Sequence, residues 1–174
     1  LDEAPVIESM GVSHPLTLHH IGRRAEQPIE DAMAAAVKQA LREQQEGDIL
    51  AFLPGVREIA RTAERLSGLT NVALHQLHGT LPPEAQRAAL RPDVTRRKVI
   101  LATSIAETSL TIDGVRIVID SGLSRRPVYD VAADVTRLTT QRVSLASATQ
   151  RAGRAARQGA GHAYRLWEEG ATAG

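Results

Sequence analysis

The sequence contains no cysteine and very few aromatic residues. Without Cys, the 174-residue chain can form neither a disulfide nor a zinc–thiolate site, and its composition is compatible with the reducing cytoplasm where we expect it to act. Phe, Tyr and Trp make up only 2% of the residues, too few for the aromatic platform on which many proteins stack single-stranded bases. No run approaches the ~20 apolar residues of a membrane span, so we expect no membrane partner.

The sequence also lacks the Gly-x-x-x-x-Gly-Lys-Ser/Thr pattern of a phosphate-binding P-loop. It begins at Leu1 with a ragged polar segment. We interpret residues 1–15 as the connection from a preceding domain and residues 16–174 as one domain, within the usual range of ~100–200 residues. We expect this chain to be a piece of a longer protein, and we expect that protein to be monomeric.

Positive charge is concentrated in the last third of the chain. Residues 115–174 hold nine arginines against five acidic residues, although the formal net charge of the whole sequence is only +1. The planar fork of arginine suits bidentate recognition of phosphate better than the point charge of lysine does. The distribution indicates either a phosphate-binding face or an ordinary solvated basic surface, and charge counting alone favours the second.

Short apolar segments alternate with amphipathic segments along the sequence. Helical periodicity predicts helices over residues 28–45, 56–67, 82–90 and 146–156, and compact apolar runs predict strands over 49–53, 72–77, 99–102, 115–120 and 162–167. A further segment, residues 125–145, is compatible with a β-hairpin. This alternation predicts an α/β fold in which helices cover both faces of a mostly parallel sheet. We expect ligands to bind beyond the carboxyl ends of the strands.

Three arginines recur at positions 151, 154 and 157 among small residues. Side chains three or four positions apart share one face of a helix, so Arg154 and Arg157 can point the same way. Two parallel guanidinium groups suit the oxygens of a transferring phosphoryl group, which gain charge in the transition state. The alternative is a basic helix that makes surface salt bridges, which is the more common case for an arbitrary arginine triplet.

A second polar string, residues 102–114, joins two predicted strands. Its hydroxyl groups and backbone amides can bind phosphate oxygens, whereas its carboxylates, Glu107 and Asp113, suit sugar hydroxyls. Ser104 and Glu107 also have the spacing of a helix capping box, which is compatible with either function. No pair of histidines is spaced to share a metal ion, and we expect no metal site in this chain.

Four strings occur in an order that resembles the DEAH-box ATP-dependent RNA helicases. FLPGVREI, LHGTLPPEAQR, ATSIAETSLTIDGV and QRAGRAAR look like motifs IV, IVa, V and VI of that family, and RLTTQRVSLASATQRAGR is similar to its bacterial HrpB branch. The match spans about residues 47–167. The resemblance implies a second RecA-like domain, a three-layer sandwich with a β-hairpin inserted after Ser124. It also implies that an upstream RecA-like domain of the same protein holds most of the ATP and Mg²⁺, and that this domain contacts the backbone of single-stranded RNA.

The resemblance further implies a role for each motif residue. In motif VI, Arg154 and Arg157 correspond to arginine fingers, and Gln150 corresponds to a residue at the γ-phosphate. In motif V, Thr111 and Asp113 correspond to nucleotide contacts, with Asp113 at the ribose. The residues that correspond to contacts with the nucleic-acid backbone are Gly79, Thr80, Thr103, Ser104 and Thr108.

Two positions depart from the family pattern. Ala156 replaces the last glycine of motif VI, which a helix tolerates unless the backbone approaches a ligand there. Leu90 stands where relatives often carry an aromatic residue against adenine, so we expect loose base selectivity and the use of other nucleoside triphosphates. Two alternatives stay open: a non-catalytic RecA-like module that binds RNA or a protein, and a helicase that acts on DNA. Without a P-loop, we expect the isolated chain to have no ATPase activity.

Overall fold

The computed structural model describes residues 3–6, 14–108 and 112–170, and only the backbone of residues 3–6. The strands in these ranges are Glu3–Val6 (β1), Leu16–His20 (β2), Asp48–Phe52 (β3), Val72–Leu77 (β4), Arg97–Ala102 (β5), Val115–Asp120 (β6), Leu123–Asp130 (β7), Val135–Arg142 (β8) and Gly161–Arg165 (β9). Seven of them form one sheet in the order β1-β2-β9-β6-β3-β5-β4. Only β1 pairs in the antiparallel direction, so the predicted mostly parallel sheet is confirmed.

Helices cover both faces of this sheet. The α-helices of the described ranges are Ile29–Glu43 (α1), Val56–Leu66 (α2), Pro83–Leu90 (α3) and Leu145–Gly153 (α4), with 3₁₀ turns at Ser104–Ala106 and Arg154–Ala156. Because side chains alternate along a strand, Ile49 and Ala51 of β3 pack under α1 and α2, whereas Leu50 and Phe52 pack with α3 and α4. The three-layer α/β architecture is therefore confirmed, with strands buried on both faces.

The predicted hairpin is also confirmed. Strands β7 and β8 pair with each other in a separate two-stranded sheet, from Leu123↔Arg142 to Asp130↔Val135. The hairpin follows β6 directly and leads into α4, and every residue of β8 is exposed to solvent. No helix in the described ranges is long and apolar enough to cross a membrane.

Several details differ from the sequence predictions. Strand β2 was not predicted, because Leu16–His20 mixes leucines with threonine and histidines. The helix predicted over residues 146–156 ends at Gly153 and continues as a 3₁₀ turn. Residues 3–6, within the segment interpreted as a linker, pair with β2, and residues 1–2 and 7–13 lie outside the described ranges. The boundary at residue 15 stays a prediction.

Candidate nucleotide and nucleic-acid sites

Arg151, near the end of α4, is fully buried. Its Nη1 lies 2.7 Å from Asp120 Oδ1 and 3.2 Å from the Leu123 carbonyl oxygen, and its Nε lies 2.8 Å from Glu107 Oε2. The guanidinium group also stacks over the Phe52 ring, 4.8 Å from its centroid. Arg151 therefore joins α4 to the end of β6, to the first residue of the hairpin and to the loop after β5.

Arg154 follows in the 3₁₀ turn and is only 5% exposed. Its Nε donates a hydrogen bond of 2.9 Å to the Glu107 carbonyl oxygen. Among the residues that the structure describes, Arg154 Nη2 has no hydrogen-bond partner. Burial, followed by the charge of Arg157, lowers the pKa of Arg154. A buried cation with an unused N–H group is a donor that an anion would satisfy.

Glu107 links the two arginines, because its carboxylate accepts from Arg151 and its carbonyl accepts from Arg154. The predicted capping box of Ser104 and Glu107 is therefore wrong: the carboxylate is held by Arg151, so it does not turn back to the start of the 3₁₀ turn. Thr103 occupies the N-cap position of that turn and makes no side-chain cap bond.

Arg154 and Arg157 line one small pocket on the face of the sheet that α4 covers. Asp113 lines the same pocket, and its Oδ1 accepts a hydrogen bond of 2.9 Å from Gln158 Nε2. Gln158 Oε1 in turn accepts one of 2.7 Å from the Gly114 backbone N–H. The structure therefore places three of the predicted nucleotide residues around one pocket and adds Gln158, which orients the carboxylate.

This pocket does not lie where parallel sheets usually bind ligands. Asp113 precedes β6 and Gln158 precedes β9, so the pocket lies toward the amino ends of these strands. The reason is the path of α4, which starts beside the carboxyl ends and runs back across the sheet toward the start of β9. Asp113, Arg154 and Arg157, which are predicted to contact a nucleotide, therefore lie away from the carboxyl edge of the sheet. The edge at which ligands bind stays a prediction.

The other predicted nucleotide residues lie apart from this pocket. Gln150 is exposed on α4 and is not among the described residues that line it. Leu90, the last residue of α3, is half-buried and lines a separate open pocket with Arg87 and Arg91. Thr111 lies outside the described residues. The roles of these residues at a nucleotide stay predictions.

A second cavity, of about 400 Å³, opens at the carboxyl edge of the sheet, and we call it the edge groove. The loops after β3, β4 and β5 form its floor, and the hairpin forms one wall. The described residues that line it are Pro54, Gly55, Val56, Arg57, His78, Gly79, Thr103, Ser104, Arg125 and Leu138. None of these residues is acidic, and of the two arginines Arg125 is paired with Glu58, so Arg57 supplies the positive charge of the lining that suits a polyanion.

The edge groove contains three of the five residues predicted to contact a nucleic-acid backbone, namely Gly79, Thr103 and Ser104. Thr80 lies beside it, with its Oγ1 2.8 Å from His78 Nδ1. Burial lowers the pKa of His78 and so favours the neutral form of its imidazole. Thr108 is exposed and does not line the groove.

Sequence reasoning missed the supporting roles of Glu107, Arg151 and Gln158. A weak signal existed for Arg151, since an arginine among alanines and glycine in a tightly packed segment must find buried partners. Gln158 carries no comparable signal. Among the described residues there is no group of three side chains that could hold a metal ion.

Comparison with known proteins identifies the family. Residues 32–159 match the model of the helicase conserved C-terminal domain. The chain is 48% identical over 160 residues to the ATP-dependent RNA helicase HrpB of Escherichia coli K12, which covers 90% of this chain and 20% of that protein.

Solved structures of the same relative are similar to this chain. The crystal structure of the E. coli DExH-box NTPase HrpB has a TM-score of 0.85 at 44% identity, over 91% of this chain and 20% of that one. The structure of the E. coli DEAH/RHA helicase HrpB has a TM-score of 0.83 at 41% identity, over 97% and 21%. The RecA-like fold and the HrpB-type resemblance are thereby confirmed. The chain spans about a fifth of these relatives and belongs to the helicase conserved C-terminal domain family.

Proposed function

We propose that the chain is the second motor domain of an ATP-dependent RNA helicase, and that it completes a nucleotide site held mainly by an upstream P-loop domain. One observation carries this proposal: Arg154 and Arg157 line one pocket, and Arg154 keeps a buried Nη2 without a partner among the described residues. Leaving such a group unsatisfied is costly, and a phosphoryl oxygen would satisfy it. The E. coli relative is named an ATP-dependent RNA helicase, which supports the same function.

The chemistry follows from these groups. As the γ-phosphoryl group transfers, its oxygens gain charge, and the guanidinium groups of Arg154 and Arg157 donate to them from the side opposite the upstream domain. Asp113, oriented by Gln158, accepts from a ribose hydroxyl. Gln150 positions the γ-phosphate or the attacking water. Leu90 supplies an apolar contact without a stacking ring, which favours loose base selectivity.

Magnesium fits the upstream domain better than this chain. Mg²⁺ takes oxygen ligands, usually one or two carboxylates together with substrate phosphates and waters. The Ser or Thr hydroxyl of a P-loop upstream would hold the ion beside the phosphates and so supply its neutralising charge. The residues of this chain then contribute cationic donors from the opposite side.

The edge groove is the proposed path of single-stranded RNA. Hydroxyl groups of Thr103 and Ser104 and the backbone at Gly79 suit phosphate oxygens, and Thr80 lies beside them. We propose a contact for Thr108 from the motif resemblance alone. Because these contacts involve no base edges, we expect binding that is independent of sequence.

The two proposed sites are joined by Glu107. It lies in the loop that follows Thr103 and Ser104, and it holds both Arg151 and Arg154. Domain closure around ATP would therefore displace the groove loop together with the fingers, which is a physical route from hydrolysis to movement along the strand.

The proposal is tested by ATP hydrolysis of the full-length protein with single-stranded RNA, with single-stranded DNA and without nucleic acid. We expect RNA to stimulate turnover and the isolated 174-residue chain to be inactive. Equal stimulation by DNA would support the DNA alternative. RNA binding without any hydrolysis would support the non-catalytic module, and hydrolysis by the isolated chain would contradict the two-domain site.

A further inference from the structure

We propose that Glu58 and Arg125 form a clamp that fixes the hairpin as the wall of the edge groove. In this reading Arg125 is a positioning residue, although it lines the groove, because its charge is committed to Glu58 and not to RNA phosphate. The inference rests on the proposed function of the groove and adds two residues that motif resemblance does not assign.

The contacts of Arg125 join three elements. Its Nη2 and Nη1 lie 2.9 and 3.3 Å from Oε2 and Oε1 of Glu58, in the first turn of α2. Its Nε and Nη2 also lie 3.2 and 3.0 Å from Thr140 Oγ1 on β8. One guanidinium group on β7 therefore binds the second hairpin strand and the body of the domain at the same time.

The local sequence leaves room for this arrangement. A Cβ atom at Gly55 would collide with the Arg125 guanidinium group. Glycine at the N-cap of α2 thus lets the arginine lie directly over the helix terminus. Glu58 is also favoured there, because the N-terminus of a helix stabilises negative charge.

The pair is ionised and only partly exposed. Side-chain exposure is 29% for Arg125 and 17% for Glu58. Burial is the largest single influence on the pKa of Glu58 and raises it, but the hydrogen bond and charge of Arg125, with the charge of Arg57, lower the pKa overall. At neutral pH, a bidentate ion pair therefore spans the gap between hairpin and helix.

Another contact between hairpin and body lies at the hairpin base, where Arg151 of α4 donates to the Leu123 carbonyl oxygen. The hydrogen bond of 2.8 Å from Val143 N to the Gly122 carbonyl oxygen closes the hairpin itself. Within the described ranges, Arg125–Glu58 is the ion pair that joins the hairpin to the rest of the domain. Further out, Leu138 lines the edge groove while it is 70% exposed. The clamp therefore controls how closely this outer wall approaches the groove floor.

The two possible roles of Arg125 predict opposite effects of removing Glu58. If Arg125 contacted phosphate, loss of Glu58 would free the guanidinium group and remove negative charge, so RNA would bind more tightly. Loss of Arg125 would then reduce the slope of log affinity against log salt by about one. If the pair is a clamp, loss of Glu58 weakens RNA binding even though it removes a negative charge. Neither variant then changes the salt slope.

The experiment compares full-length wild type with Glu58→Ala, Arg125→Ala and the charge-reversed pair Glu58→Arg/Arg125→Glu. Glu64→Ala, on an exposed position of α2, is the matched control. The RNA concentration that half-maximally stimulates ATPase activity should rise roughly fivefold in Glu58→Ala, about the effect of one partly exposed ion pair. Basal ATPase activity of Glu58→Ala should not change, the charge reversal should recover most of the loss, and Glu64→Ala should match wild type.

Two results would overturn the clamp. One is RNA binding by Glu58→Ala that equals or exceeds wild type, and the other is a salt slope reduced by about one in Arg125→Ala. The rate of trypsin cleavage after Arg137 in β8 tests the clamp separately from the function of the groove. If RNA stimulates no ATPase activity in wild type, the proposed function fails, yet faster cleavage in Glu58→Ala, reversed by the charge swap, still supports the clamp. Unchanged cleavage in that case contradicts it.

Discussion

Replacing Arg151 by methionine should destabilise the fold strongly. Methionine roughly retains the length of the buried side chain, but it removes the cation that lies 2.7 Å from Asp120 and 2.8 Å from Glu107. Asp120 is only 2% exposed, so its carboxylate would be left in the interior, where the Gly122 backbone N–H still donates to it. The change therefore strands a buried charge and does not simply delete a contact.

The expected loss is about 3–5 kcal/mol, the typical cost of removing one partner of a buried ion pair. In a chain of this size, each 1 kcal/mol lowers the melting temperature by about 2–4 °C, so we expect a fall on the order of 10 °C. Adding Asp120→Asn to Arg151→Met removes the stranded charge. The double variant should therefore be more stable than the sum of the two single effects by about 1 kcal/mol or more.

Urea unfolding of the 174-residue chain measures these free energies. Arg137→Met is the control, because the Arg137 side chain is 66% exposed and lies 3.7 Å from Asp130. That surface pair should contribute less than about 1 kcal/mol. If Arg151→Met costs no more free energy of unfolding than Arg137→Met, the buried network does not organise motifs V and VI.

Two further predictions concern packing and pH. Gly161→Ala should cost about 1–3 kcal/mol, because its new Cβ would collide with the Ala155 carbonyl oxygen. Gly68→Ala, with no atom nearby, should stay within about 0.5 kcal/mol of wild type in the same unfolding measurement. The lowered pKa of Glu58 implies stability that is present above its ordinary value of 4.5 and lost as pH falls through the folded-state value. The stability difference between wild type and Glu58→Gln should therefore shrink as the pH falls below 4.5, and a difference independent of pH would contradict the ion pair with Arg125.

The fold was largely predictable because its central strands are continuous apolar runs. The limits of β6, which lies inside the sheet, match the predicted range 115–120, since a strand buried on both faces needs mostly apolar residues. The limits of β4 also match the predicted range 72–77, although β4 is an edge strand that contains His75 and Gln76. Strand β2, which lies between β1 and β9, could not be predicted in the same way, because threonine and histidines interrupt its apolar residues. The end of α4 at Gly153 depends on how the following turn packs, which local periodicity does not encode.

The residues of the candidate sites could be predicted from the sequence, but the contacts between them could not. Motif resemblance singled out Asp113, Arg154 and Arg157, which the structure places around one pocket. It could not reveal that Glu107 holds both Arg151 and Arg154. These arginines follow Glu107 by 44 and 47 positions in the sequence, so only tertiary packing brings the three residues together. The Arg125–Glu58 pair, 67 positions apart, was equally invisible. Such contacts depend on where loops converge and have no local pattern.

The central claim is that Arg154 acts as an arginine finger, and ATP turnover of full-length Arg154→Ala tests it most directly. Arg61→Ala, on the exposed side of α2, is the control, and the unfolding midpoint of each variant shows whether its fold is retained. With saturating single-stranded RNA, we predict that Arg154→Ala loses about 10³-fold or more in turnover while RNA affinity is largely unchanged. Turnover equal to that of wild type, in a variant that is folded and binds RNA, would contradict the account.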